Sequence, residues 1–163
     1  MLENEIIEKF QRNGYLNLSR EIFLSNPIDK VFKFFSDAGN LDILTPKWLN
    51  FSILTDMPIS ISKDTQIDYK LKYRGFPIKW TSNINEWDPP YFFVDEQIKG
   101  PYRKWIHFHN FKSKDNGTLV TDTVFYKIIG NKQIDTFLDF LIVKSDLGKI
   151  FDYRVQMMKT IIF

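Results

Sequence analysis

Apolar and polar side chains alternate along several stretches of the chain, a two-residue period that is typical of β-strands with one buried face. The first such strand is predicted within residues 15–24. The alternation is clearest in residues 65–73, where an aspartate and two lysines occupy the polar face. The apolar face of that strand consists of Ile67, Tyr69, Leu71 and Tyr73. Further strands, predicted at 47–54, at 77–87 and in three segments between residues 91 and 130, are joined by short turns and indicate antiparallel hairpins.

Two other parts of the chain have a helical pattern. A helix is predicted directly after the first strand, because Asn26 can cap it, Pro27 suits its first position and an apolar stripe follows. A second short helix or turn is predicted to end before Pro46. The tail, residues 131–163, predicts one long amphipathic helix, with a kink or division within residues 145–148. The apolar positions of that helix are Ile134, Phe137, Leu138, Leu141, Phe151, Val155 and Met158.

The order of these elements predicts the architecture. A strand and two short helices precede five or six antiparallel strands, and a long helix ends the chain. A sheet of that length needs cover for its apolar face, and only the tail helix is long enough to provide it. The predicted fold is therefore α+β, a curved antiparallel β-sheet wrapped round a long C-terminal α-helix. No linker divides the sequence, so we expect a lead-in of residues 1–14 and a single domain of residues 15–163.

Composition narrows the range of functions. Aromatic residues make up 17% of the 163 residues, an excess that suits a β-rich core and also an apolar ligand pocket. The net charge is +2, and the charges are mixed, so no basic track for nucleic acid is predicted. The chain has no cysteine, which excludes thiol catalysis. Without a secretory leader or a membrane-length apolar run, we expect a cytoplasmic protein that does not insert stably into membranes.

The two histidines of the chain are the most prominent candidates for chemistry. His107 and His109 lie two residues apart, so both imidazoles point to the same face of a predicted strand. A metal site needs at least one more protein ligand, and without cysteine or a third histidine a carboxylate such as Asp95 or Asp122 would have to serve. The shortage of ligands leads us to expect neither a metal nor another cofactor.

The second half of the chain carries a recognisable set of motifs, among them a Trp-x-Pro-Pro turn, Gly-Pro-Tyr-x-x-Trp and His-x-His-x-Phe. The matching residues are Trp87, Pro89, Pro90, Val94, Asp95, Gln97, Gly100, Pro101, Tyr102, Trp105, His107, His109, Phe111, Gly117, Thr118, Asp122, Val124 and Tyr126. In these positions the chain resembles the START-like, or SRPBCC, superfamily and more narrowly the small bacterial ligand-binding SRPBCC proteins of unknown substrate. The resemblance implies the helix-grip fold. It also implies an apolar ligand such as a lipid, a polyketide or an aromatic-like molecule, although some members are enzymes.

The favoured function is binding or transport of a small hydrophobic ligand in a cavity between the sheet and the C-terminal helix. The side of the sheet on which Trp105 lies is left open, because Ile106 and Phe108 make the other face apolar too. The oligomeric state is also open. The predicted ligand-binding residues are Tyr69, Tyr73, Ile78, Trp80, Ile84, Asp95, Gln97, Tyr102, Trp105, His107 and His109.

Two alternative functions use the same residues differently. A cyclase or dehydratase would use a His/Asp pair inside the cavity, but no nucleophile motif supports an enzyme. A protein-interaction module would have a cavity filled by its own side chains. The polar residues could also serve only as a hydrogen-bonded network that ties the strands together. The catalytic candidates are His107, His109, Asp95 and Asp122, and the network would add Gln97 and Tyr102.

Overall fold

The computed structural model of the protein describes residues 2–161, in which seven antiparallel strands form one sheet. The strands are β1 (Leu16–Leu24), β2 (Ser52–Ile53), β3 (Gln66–Tyr73), β4 (Phe76–Asp88), β5 (Phe92–Lys99), β6 (Lys104–Lys114) and β7 (Gly117–Lys127). Their order across the sheet is β1-β7-β6-β5-β4-β3-β2, so β3 to β7 form the predicted meander and β1 closes its far edge. The pairing of β4 with β5 shifts register twice, after Thr81 and after Ile84, and such bulges bend a sheet.

Four helices accompany the sheet. They are α1 (Leu2–Arg12), α2 (Ile28–Phe35), α3 (Lys132–Leu138) and α4 (Lys144–Thr160). Two 3-10 turns, Ala38–Leu41 and Lys47–Leu49, lie between α2 and β2. The predicted helix-grip α+β architecture is confirmed. Among residues 2–161, no helix is both long enough and apolar enough to cross a membrane.

The segment after β1 differs from the prediction at two points. Pro27 occupies the N-cap position of α2 and no side chain caps this helix, so the capping role predicted for Asn26 is wrong. The backbone oxygen of Asn26 instead accepts a hydrogen bond from the Thr118 hydroxyl. Of the strand predicted at 47–54, only Ser52–Ile53 pairs, because the residues before it form a 3-10 turn and Asn50 has a left-handed backbone.

The tail forms the long helix that the sequence predicts, but its irregular turn lies earlier than expected. A π-helical turn at Asp139–Val143 separates α3 from α4, whereas residues 145–148, where the division was expected, lie inside α4. Two buried acids attach the first part of the tail to the sheet. The Asp135 carboxylate accepts hydrogen bonds from the backbone N–H groups of residues 128–130, and Asp139 accepts one of 2.5 Å from the Tyr126 hydroxyl.

These two anchors determine which face of the tail is buried. Because Asp135 and Asp139 point into the protein, the residues beside them point outwards. Three positions of the predicted apolar stripe, Ile134, Phe137 and Leu141, are 50%, 62% and 53% exposed, which corrects the prediction that they pack on the sheet. Of the other positions of the stripe, Leu138 and Val155 are half-buried, and Phe151 and Met158 are buried. The predicted end of the helix at residue 163 lies outside the described residues.

Helix α4 covers the concave face of the sheet, and α1 lies on the convex face, where the Phe10 ring stacks on Phe125 at 4.3 Å and meets the edge of Phe108. Trp105, whose side of the sheet the sequence left open, is buried on the concave face.

Two groups of buried residues lie between the concave face and the elements that cover it. The packed half, where α2 meets the sheet, consists of Ile22, Leu24, Val31, Phe32, Phe35, Leu44, Phe93, Phe111, Val120 and Met158. The cavity half, beneath the first turns of α4, consists of Leu18, Trp80, Trp105, Val124, Tyr126, Ile128, Leu147 and Phe151.

Candidate functional site

A cavity of about 330 Å³ lies between the concave face of the sheet, the 3-10 turns and α4. Its volume falls at the lower end of the range for small-molecule sites, and its wall is mainly apolar. The apolar wall comes from all the elements around the cavity. It includes Phe35, Leu41, Leu44, Leu49, Phe51, Ile61, Ile67, Leu71, Phe93, Ile128, Val143, Leu147, Ile150 and Phe151. This is the position between sheet and helix that the sequence predicts.

Ten of the eleven residues predicted to bind ligand line this cavity. They are Tyr69, Tyr73, Ile78, Trp80, Ile84, Asp95, Tyr102, Trp105, His107 and His109. Gln97 lies outside the lining. Its amide nitrogen donates to the backbone oxygen of Tyr102 at 2.6 Å and its amide oxygen accepts from the Tyr102 N–H, so it holds the β5–β6 turn. Whether the ten lining residues contact a ligand stays a prediction.

Three aromatic residues of the wall pack on one another around Ser82. The rings of Tyr69 and Trp80 are stacked at 6.0 Å, and Trp105 meets Trp80 edge-on at 5.3 Å. The Trp80 indole N–H donates to the Ser82 hydroxyl at 3.1 Å, and the Tyr69 hydroxyl lies 2.9 Å from the same oxygen. Because Ser82 satisfies the polar atoms of Tyr69 and Trp80, these two rings can contribute apolar area to the cavity without a buried unpaired group.

The strand register brings the four predicted catalytic candidates together. Asp95 of β5 lies directly opposite His107 of β6, and His109 lies directly opposite Asp122 of β7. His109 bridges the two acids, with Nδ1 2.7 Å from Asp122 Oδ1 and Nε2 2.9 Å from Asp95 Oδ2. Its ring also stacks on Phe93 at 4.1 Å. We call Asp95, His107, His109 and Asp122 the polar cluster.

The charges of the polar cluster are balanced by a group from the helix. Burial alone would lower the pKa of His109, but the adjoining Asp122 and Asp95 carboxylates raise it above its ordinary value. Burial opposes ionisation of both acids, yet His109 and Arg154 hold the pKa of Asp122 and that of Asp95 below their ordinary values. Arg154 of α4 places Nη1 3.4 Å from Asp122 Oδ2. Asp122 thus lies between His109 of the sheet and Arg154 of the helix.

His107 is the exception within the polar cluster. Burial and the charge of His109 lower its pKa to about 3, so the ring is neutral. Its Nδ1 lies 3.7 Å from Asp95 Oδ2 and its Nε2 lies 3.6 Å from Asp122 Oδ1, both beyond hydrogen-bond distance. The buried Nε2 has no hydrogen-bond partner in the part of the chain that the structure describes.

The sequence prediction missed four polar residues of the cavity lining, which are Thr45, Ser82, Asp146 and Arg154. Ser82 lies between Trp80 and Ile84 on the same face of β4, so the alternation of that strand contained the signal. Arg154 follows Phe151 by three positions on α4 and therefore shares its face. A cation on the buried face of a helix indicates an acid on the surface that the helix covers.

Comparisons with known proteins agree with this fold. A family model described as "Polyketide cyclase / dehydrase and lipid transport" matches residues 24–142. Protein TTHA0849 from Thermus thermophilus is 14% identical, with a TM-score of 0.66 over 89% of this chain and 98% of its own. Ginseng major latex-like protein 151 from Panax ginseng is 9% identical, with a TM-score of 0.65 over 90% and 96%. No curated protein matches the sequence. At these identities the solved structures show a shared fold.

Proposed function

The chain belongs to the polyketide cyclase / dehydrase and lipid transport family, and we propose that it binds a small hydrophobic molecule in the cavity between the sheet and α4. Membership of this family supports hydrophobic ligand binding in general terms. The observation that carries the proposal is a mainly apolar cavity of about 330 Å³ whose wall includes Arg154 and three members of the polar cluster, Asp95, His107 and His109. Its lining residues lie between Phe35 and Arg154, so we also propose residues 15–163 as the ligand-binding domain.

Binding free energy in such a site comes mainly from apolar surface, at roughly 25 cal/mol for each Å² removed from water. The aromatic wall around Ser82 would provide much of that surface. Because Tyr69 and Trp80 already share the Ser82 oxygen, a ligand would not have to satisfy them. We therefore propose that the part of the ligand beside Trp80 is apolar.

Polar lining groups are concentrated where α4 crosses the sheet. Arg154, Asp95 and the unpartnered His107 all line the cavity there. A cation and an imidazole nitrogen both suit an oxygen-bearing group of the ligand, and a few such contacts orient a molecule in an otherwise apolar pocket. We propose an elongated or ring-shaped apolar ligand with one oxygen-bearing end at the polar cluster.

The properties of the two histidines favour binding over a cyclase or dehydratase mechanism. A general base works best when its pKa is near the working pH. Both nitrogens of His109 are paired with carboxylates, Nδ1 with Asp122 and Nε2 with Asp95, and the pKa of His107 is lowered to about 3. Neither ring is therefore suited to abstract a proton at neutral pH. A cavity of this volume also argues against an interaction module whose interior is filled by its own side chains.

The proposal is tested by titrating the protein with a dansyl-labelled fatty acid, whose fluorescence rises in an apolar pocket. We expect one site per chain, and at least a tenfold loss of affinity in Trp80→Ala, because a large buried ring surface is removed. Trp87→Ala is the matched control. Trp87 packs against Phe32 and Phe93 in the packed half and does not line the cavity.

Circular dichroism checks that both variants keep the native fold, and Trp80→Leu replaces Trp80→Ala if the alanine variant does not. Unchanged affinity in the folded Trp80 variant, or equal losses in the Trp80 and Trp87 variants, would contradict binding in this cavity. Native mass spectra of gently purified protein, recorded before and after denaturation, would identify the class of any apolar molecule that co-purifies.

A further inference from the structure

We propose that Asp95, His107 and His109 form a binding site for one divalent transition metal ion of the zinc class in the wall of the cavity. The site would use one carboxylate oxygen and two imidazole nitrogens, and it leaves a coordination position towards the cavity. This inference goes beyond ligand binding and does not depend on it, because the three side chains can hold an ion whether or not a hydrophobic molecule is bound.

The first observation is the spacing of the ligand atoms. One ligand atom from each of Asp95, His107 and His109 lies within 4.8 Å of the other two. Asp95 Oδ2 is 2.9 Å from His109 Nε2 and 3.7 Å from His107 Nδ1. Two ligands bound tetrahedrally to one zinc ion, with bonds of about 2.1 Å, are roughly 3.4 Å apart. The two measured distances lie on either side of that value, so small side-chain rotations would bring the three atoms round one ion.

The second observation is the unpartnered nitrogen of His107. The ring is buried, yet neither nitrogen is within hydrogen-bond distance of a carboxylate, and Nε2 has no partner among the described residues. Burial of an unpaired polar atom is unfavourable and calls for a ligand. If an ion binds Nδ1, the ring proton is on Nε2, which faces the Asp122 carboxylate at 3.6 Å. An ion at Nδ1 thus gives the buried ring a partner, and a small rotation of the ring would bring Nε2 within hydrogen-bond distance of Asp122.

The third observation is the carboxylate of Asp122, which holds the His109 ring through its other nitrogen. A histidine that binds metal through one nitrogen usually donates its other N–H to a carboxylate, which fixes the orientation of the ring. Asp122 Oδ1 lies 2.7 Å from His109 Nδ1 in this geometry, and Arg154 contacts the other oxygen of Asp122. An ion at Nε2 would replace the proton that His109 now shares with Asp95, and that proton would be released to solvent.

The donor set determines the class of ion. Magnesium and calcium bind oxygen ligands almost exclusively, so a site with two imidazole nitrogens disfavours both. Two histidines and one carboxylate suit zinc, iron and cobalt as divalent ions. With three protein ligands, an ion of this class retains a position for water or for an oxygen atom of a bound molecule. The same position faces the cavity, because all three residues line it.

Isothermal titration of the chelator-treated, dialysed protein with Zn²⁺ tests this inference. We expect one site per chain and at least a tenfold loss of affinity in His107→Phe. That variant should fold, because the His107 side chain makes no hydrogen bond within residues 2–161, and a phenyl ring suits its aromatic surroundings. Asp146→Asn is the matched control, since Asp146 is an acid of the cavity wall outside the proposed site. Titration with Co²⁺ should add visible absorption bands in the wild type and not in His107→Phe.

Two results would overturn the proposal. One is the absence of saturable Zn²⁺ binding to the wild type. The other is Zn²⁺ binding that is equally strong in the wild type, His107→Phe and Asp95→Asn, because the ion would then lie elsewhere on the protein. The dansyl fatty-acid titration on the same metal-free protein is a separate measurement, so failure of the metal site and failure of the hydrophobic ligand site are distinguishable.

Discussion

The two halves of the concave face have the same sheet beneath them and differ in what covers it. In the packed half, α2 inserts Phe32, whose ring contacts Trp87, Phe93 and Phe111 at centroid distances of 5.2–6.0 Å. In the cavity half the cover comes mainly from the tail, and Leu147 and Phe151 of α4 do not fill the space above the sheet. The difference shows that the position of α2 decides where the solid core ends.

The polar cluster lies at the border between the two halves. His109 stacks on Phe93, a residue that belongs to the packed half and also lines the cavity. On the other side, His107 lies beside Phe151 of the cavity half. A charged group at this border is buried enough to be held rigidly, while the cavity still gives access to it. This position is suitable for orienting a ligand.

The largest expected difference between the halves concerns removal of a side chain. Leu24→Ala in the packed half should lower the free energy of unfolding by about 2–5 kcal/mol, because it creates a void in close-packed surroundings. Leu71→Ala is the matched change in the cavity half, where the half-buried side chain already borders open space, and we expect a loss of about 1 kcal/mol. Urea denaturation measures both, and equal losses would show that the halves are packed alike.

The opposite substitution gives a smaller difference. Val120→Phe enlarges a side chain that is 1% exposed in the packed half, and overpacking should cost about 3 kcal/mol. Leu71→Phe extends into the cavity, so we expect a loss of under about 1 kcal/mol together with weaker binding of the dansyl fatty acid. A Leu71→Phe protein that is as unstable as Val120→Phe would mean that the cavity closes in solution.

The smallest effect concerns the contact that ties the β3–β4 hairpin to α4 at the cavity half. Asp146 accepts hydrogen bonds from the Tyr73 hydroxyl at 2.6 Å and from Arg74 Nε at 2.9 Å, and Lys149 lies 3.5 Å away. Asp146→Asn should lower the free energy of unfolding by about 1 kcal/mol at neutral pH, since a bond to a charged acceptor is lost. Tyr73→Phe, which removes one of the two donors, is the control and should cost less.

The same contact should depend on pH. Burial alone would raise the pKa of Asp146, but the hydrogen bonds from Tyr73 and Arg74 lower it below that of the unfolded chain. The stabilisation is therefore fully present above the unfolded pKa, about 4, and is lost as the pH falls through the lower folded value. Denaturation curves of the wild type and Asp146→Asn should converge as the pH falls below about 4. Curves that stay equally far apart would contradict a role for the charge.

The fold was predictable because apolar and polar residues alternate along β3 and β4, and this alternation indicates which face of the sheet is buried. Tyr69, Tyr73, Ile78, Trp80 and Ile84 all reach the cavity, as that alternation and the family resemblance together predict. The tail was not predictable from periodicity. Its first apolar residues have helical spacing, but the bonds that Asp135 and Asp139 make to the sheet rotate that face outwards, and sequence spacing contains no information on such bonds.

The candidate site was predictable only in part. The motif predicts that Asp95, His107, His109 and Asp122 converge, since three neighbouring strands carry them. It does not predict that the His109 side chain bonds to both carboxylates while the His107 side chain, among the described residues, bonds to neither. That difference depends on distances of a few tenths of an ångström. Gln97 was predicted to join the same polar network. Its side chain instead donates a hydrogen bond to the backbone oxygen of Tyr102 in the β5–β6 turn.

The pairing of Asp95 with His107 and of His109 with Asp122 also has a consequence for how the chain finds its native sheet. A slip of β6 by one residue against its neighbours would turn both histidines to the convex face and place Ile106 and Phe108 among the acids. The two acids would then be buried without His109 between them, which is unfavourable because the single charge of Arg154 cannot balance both. The polar cluster therefore penalises misaligned hairpins during folding, and it would do so even in a protein that had lost its ligand.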